Sequence, residues 1–145
     1  MRKTTFGVAG LVILGFLVRA DADAARSGFK VIANPAVKGG TIARAVLAQV
    51  FLGRVERWGN GTPIAPIDLS AMSPVRAAFS EGMLGMPTAA VRRYWEQRLA
   101  DGRRPPPVKT STEEMIAAVA AVEGGIGYVP ADTLLPESVK VIEVQ

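Results

Sequence analysis

Neither histidine nor cysteine occurs anywhere in this chain. The commonest general base, the strongest nucleophile and the usual zinc ligands are therefore missing. No spacing of serine with lysine, or of paired carboxylates, suggests a substitute, so catalytic residues, metal ligands and cofactors are not expected. The groups that remain are suited to holding anions. Gly39-Gly40-Thr41 can present backbone amides at a helix start, although the glycines lack mononucleotide-loop spacing and no lysine follows them. The plainer reading is a turn in which Thr41 caps the next helix. Arg92, Arg93, Arg98, Arg103 and Arg104 crowd one short stretch beside Tyr94 and Trp95. That pattern suits a phosphate-bearing partner or an acidic protein surface, with the aromatics available for stacking as in single-strand nucleic-acid sites. Trp95 shares a helical stripe with Val91 and Leu99, so aromatics in the core under a solvated arginine face is the plainer reading.

The expected compartment narrows these choices. Arg2 and Lys3 form a basic start, residues 6–18 are apolar, and Ala22-Asp23-Ala24 supplies small residues for cleavage. This is the layout of a secretory signal peptide over residues 1–24. The apolar run is shorter than the ~20 residues a membrane-spanning helix needs. Residues 25–145 then make one ordinary domain, periplasmic in location, with nucleic acid set aside as a partner. Without cysteine, that domain is held by packing rather than disulfides. Lys and Arg number 17 against 13 Asp and Glu, a formal net charge of +4. So mild an excess suits an anionic ligand without requiring one.

The elements that must position these groups can be read from patterning. Residues 29–33 predict a first strand, stopped by Asn34-Pro35. Ile42, Val46 and Val50, with Leu47 and Phe51 beside them, predict a helix that Gly53 ends. Residues 58–63 have turn composition. Residues 64–69 predict a second strand, in which Pro66 implies an edge or a bulge. Ser73-Pro74 is a good helix start, with serine as cap and proline first, for a helix running to about Met83. Residues 89–99 predict a further helix, 101–107 a basic proline-rich connector, and 108–110 a short strand. Ser111 with Glu114 forms a capping box ahead of Met115, Ile116, Val119 and Val122. Residues 126–129 and 139–144 predict the last strands. Alternation of strands with helices implies an α/β layer sandwich.

Four passages carry a resemblance. Residues 41–58 (TIARAVLAQVFLGRVERW) are similar to the segment with which phosphate-binding proteins of ABC transporters, type II periplasmic binding proteins, open their second lobe. Residues 64–68 match the strand that follows, Phe79 lies six residues after Ser73 as in the family, and Gly125-Ile126-Gly127-Tyr128-Val129 resembles a further strand. The resemblance implies one lobe of that fold, a three-layer sandwich with a mixed, roughly five-stranded sheet. It implies an exported solute-binding protein, phosphate or a similar oxyanion as ligand and an ABC permease as partner. Residues 69–76 fall on the family's phosphate loop. There Leu69 and Ala71 replace charged residues, Ser70 and Ser73 keep hydroxyls, and Arg76 adds a cation, which on a plainer reading is a solvated surface charge. Ser70, Ser73 and Arg76, with Gly40 and Thr41, are thus the implied anion ligands. The alternative is an accessory or protein-interaction module of the cell envelope that keeps the lobe without the ligand. A homodimer would rebuild a two-lobed cleft.

Overall fold

Strand β1 (Phe29–Ala33) is apolar at every position but Lys30, as a strand covered on both faces must be. The structure, a computed structural model, describes residues 28–145. The expected signal peptide lies outside the described residues. β1 forms the centre of a five-stranded sheet in the order β2-β7-β1-β6-β3. It pairs antiparallel with β6 (Gly125–Pro130) and with β7 (Lys140–Val144). The two edges are parallel additions, β2 (Thr41–Ile42) on β7 and β3 (Ala65–Pro66) on β6. The expected mixed five-stranded sheet is therefore present, with Pro66 on an edge strand.

The register places Phe29, Val31 and Ala33 on the same face as Pro130, Tyr128 and Ile126. That face carries an aromatic cluster. Phe29 meets Phe79 edge-on at 5.4 Å, Phe51 meets Phe79 at 4.8 Å, and Phe79 stacks on Tyr128 at 3.9 Å with only 2° between the ring planes. Phe51 ends helix α1 (Arg44–Phe51), and Phe79 ends helix α2 (Pro74–Phe79), so both helices are anchored on this face. The opposite face receives helix α4 (Thr112–Ala121). A Cβ at Gly127 would lie 2.4 Å from Met115 Sδ, and one at Gly125 would lie 2.6 Å from the Val119 carbonyl. These two glycines let the helix approach the sheet backbone directly. With helices on both faces, the molecule has the three layers that were expected.

Three local expectations change. Thr41 does not cap α1. It lies in β2, and α1 begins at Arg44 after Ala43, whose side chain makes no capping bond. The cause is β7 and the residue that follows it: the Glu143 and Gln145 amides donate to the Gly40 and Ile42 carbonyls and draw residues 40–42 into the sheet. Val46 accordingly turns outward, while Leu47, Val50 and Phe51 stay buried. Residues 64–69 are not one strand: the chain leaves β3 at Ile67 and pairs again as β4 (Asp68–Leu69) with β5 (Val108–Lys109) in a separate parallel sheet. The helix after Ser73 remains α-helical only to Phe79, then widens into a π-helical turn (Ser80–Leu84) that Gly85 ends at φ +68°. The Ser111 cap is as expected, its hydroxyl accepting from the Glu114 amide at 3.1 Å. Helix α3 (Thr88–Leu99) buries Val91 and Trp95 but leaves Leu99 half exposed.

Candidate anion site

Asp68 is the only charged residue in the otherwise apolar stretch 64–69. It is 8% exposed at the start of β4, and a carboxylate that deep must be answered by donors. Three donors reach one of its oxygens, Oδ1. Arg76 Nε lies 2.9 Å away, the Tyr128 hydroxyl donates to it, and the Leu69 amide donates at 2.9 Å. The same amide lies 3.3 Å from the Tyr128 oxygen. One oxygen thus ties together β4, α2 and β6.

Local structure explains how Arg76 gets there. Side chains on a helix lean toward its N-terminus, and Arg76 stands on the first turn of α2, just after the chain has left β4. Its guanidinium therefore folds back onto the strand end. Arg76 is 5% exposed, which removes the reading of a solvated surface charge. Its Nη1 atom is also buried, and it has no hydrogen-bond partner among the described residues.

The electrostatics follow from burial. Desolvation pushes the Asp68 carboxyl above the ordinary carboxylate value, and the Arg76 charge and the Tyr128 and Leu69 hydrogen bonds only partly pull it back. The Tyr128 phenol is pushed well above its ordinary value, first by burial and then by the adjacent Asp68 charge. A phenol that resists ionisation and a carboxylate committed to three donors are poor general bases.

Ser70 and Ser73 lie directly between β4 and α2. The Ser73 amide donates to the Ser70 carbonyl at 2.9 Å, closing a tight turn whose tip, Met72, is 93% exposed. The Ser70 hydroxyl accepts from the Met72 amide at 3.3 Å. Ser73 precedes Pro74 as the expected cap residue, but its side chain makes no capping bond. Ser70, Ser73 and Arg76 are thus brought to one turn and the first turn of the helix after it. Gly40 and Thr41 are elsewhere, at the β2 edge of the large sheet, whereas β3, which leads into β4, forms the other edge.

Asp68 and Tyr128 were not singled out from the sequence. The signal was present in each case: a lone carboxylate within an apolar run, and a phenol within an apolar strand, both need a buried partner.

The fold is similar to parts of longer chains of known structure. It aligns with an ABC-type phosphate transport receptor from Vibrio cholerae with a TM-score of 0.63 and 19% identity, covering 81% of this chain and 46% of that one. The fold is similar to one lobe of a phosphate receptor. PstS from Borrelia burgdorferi gives a TM-score of 0.65 at 18% identity, with 81% of this chain and 47% of that one covered. A protein of the phosphate ABC transporter substrate-binding type from Clostridium perfringens, solved with bound phosphate, gives 0.62 at 18% identity, with 81% and 44% covered. The chain therefore spans about half the length of the receptors it matches. These neighbours are transport proteins rather than enzymes. By sequence alone, no family profile and no curated protein matches.

Proposed function

We propose that this chain is an exported solute-binding protein of the phosphate-receptor type, with a reduced site formed by Ser70, Ser73 and Arg76. The nominal ligand is phosphate or a similar oxyanion. In this reading residues 1–24 are cleaved, the domain works in the periplasm, and an ABC permease receives the solute. The observation that carries it is the buried Arg76 Nη1, which has no partner among the described residues. A guanidinium offers five donors, and leaving a buried charged one unanswered costs about 1–3 kcal/mol or more. An oxyanion oxygen would recover that energy. The 70–73 turn links the two elements that Arg76 joins. Gly40 and Thr41 would contribute only to a ligand held at the β2 edge.

Calorimetry of the mature protein with millimolar phosphate and sulfate tests this reading. The expected result is saturable heat, with an affinity lowered about tenfold for each ~1.4 kcal/mol removed by Ser70→Ala or Ser73→Ala. A complete absence of heat would sink it.

One observation favours the second reading, an accessory or protein-interaction module. Asp68 already supplies an internal anion to Arg76 Nε, Tyr128 and the Leu69 amide, while Met72 projects from the turn. That reading predicts capture of an envelope protein that Met72→Ser abolishes and Ser70→Ala leaves intact. Light scattering decides whether a homodimer supplies a second lobe to either reading.

A further inference from the structure

We propose that Arg54, Arg98 and Arg103, gathered around Tyr94 at the C-terminal end of α1, form a separate anion site for a small ligand carrying two or more linked phosphate groups. These residues line an open cleft of about 530 Å³ together with Gln97 and Asp101. Arg92, Arg93 and Arg104, the other members of the arginine run, do not line it. Arg54 enters from outside that run, brought in by tertiary structure.

The cleft is held in shape by bonds that engage one nitrogen each of Arg98 and Arg103, out of the several donors a guanidinium carries. The Tyr94 hydroxyl donates to the Leu52 carbonyl at 2.6 Å, fixing the ring at the helix end. Arg98 Cζ lies over that ring, 3.4 Å from its centroid, with Nη1 donating to the Tyr94 carbonyl at 3.1 Å. Arg54 lies 5.6 Å from the same ring. Arg103 Nη1 donates to the Gly53 carbonyl at 2.7 Å. Gly53 takes φ +70°, and a Cβ there would stand 2.8 Å from Trp95, so this helix end admits no side chain. The carbonyls of a helix C-terminus favour cations, and that offsets part of the repulsion among three guanidiniums.

The charge in the cleft is unbalanced. Among the described residues, Arg54 and Arg98 form no ion pair, and Arg103 has one long contact, 3.8 Å to Glu56. Asp101 is the single carboxylate in the lining. Each guanidinium is a planar fork suited to paired oxygens of a phosphate. Three forks against one carboxylate favour a ligand with two or more charged groups over a single phosphate. The cleft shares no residue with the Ser70, Ser73 and Arg76 site, so either proposal can fail alone.

The test titrates the mature protein with inorganic pyrophosphate, and separately with inorganic phosphate, by calorimetry at near-physiological salt. We expect pyrophosphate to bind at least tenfold more tightly than phosphate. The Arg54→Gln/Arg98→Gln double variant should weaken pyrophosphate at least tenfold while leaving the circular dichroism spectrum unchanged, and Ser70→Ala/Ser73→Ala should leave pyrophosphate binding unaltered. Three outcomes would overturn the proposal: no preference for pyrophosphate, full binding by the Arg54→Gln/Arg98→Gln protein, or an equal loss on Arg92→Gln/Arg93→Gln, which would mean diffuse surface charge.

Discussion

Arginine and tyrosine meet twice in this protein, once in the interior and once at the surface. Around Asp68, one guanidinium, one phenol and one carboxylate are withdrawn from water and bonded to each other across three elements. Around Tyr94, guanidiniums lie against a ring whose hydroxyl is bonded to a helix-end carbonyl, and they face solvent with little carboxylate to answer them. The residue types are nearly the same. What differs is the dielectric surroundings, and that decides the role. A buried charge must be paired inside the fold, as Arg76 Nε is with Asp68, and only the donor left over, Nη1, can turn to a ligand. An exposed charge can stay unpaired, so its partner can be a ligand.

The largest expected effect breaks the interior cluster. Arg76→Met strands the Asp68 carboxylate and should cost about 3–5 kcal/mol in urea denaturation. The Arg76→Met/Asp68→Asn double variant should recover much of that loss, because the uncompensated charge is then gone. A loss below about 1 kcal/mol for the single variant would mean that the pair is solvated after all.

The next effect depends on pH. Folding raises the Asp68 pKa, so the folded state holds this proton more tightly than the unfolded chain does. The contribution is therefore fully present below the ordinary value of 3.8 and is lost as pH rises through the folded value. Its size is about 1.4 kcal/mol for each tenfold change in proton affinity. Measured against Asp68→Asn, wild-type stability should be relatively highest at low pH and decline as pH increases. A relative stability that grows with pH would show that Arg76 outweighs burial.

The smallest effect belongs to the surface cluster. Arg54→Gln/Arg98→Gln should change stability by no more than about 1 kcal/mol in the same denaturation experiment. A loss comparable to that of Arg76→Met would erase the contrast and make the cleft a structural feature.

Much of the architecture is legible in the sequence. β1 announced itself by an apolar run ending at Asn34-Pro35, and α4 by Ser111 with Glu114 ahead of Met115 and Val119. Pro66 implied an edge or a bulge, and it lies on an edge strand. Legibility failed where a distant segment competed with local preference. Thr41 had the makings of a helix cap, but β7, a hundred residues later, offered it sheet bonds instead. The stretch 64–69 read as one strand because nothing local reveals that β5 would claim its second half. At the candidate site, Ser73 was marked by a helix start and Ser70 only by the family resemblance. Asp68 could not be linked to Arg76 and Tyr128, because Tyr128 lies sixty residues away on another strand.

Chain composition and short-range order decided which residues could form strands, helices, turns and caps, and they denied this protein histidine and thiol chemistry. Those are properties of neighbouring residues and of what each side chain can do. Tertiary structure alone decided which charges would be dry. It carried Arg76 into the interior against Asp68 and left Arg54, Arg98 and Arg103 at a wet helix end. Burial depends on what the rest of the chain places on top of a residue, and in this fold the covering segments come from far along the sequence.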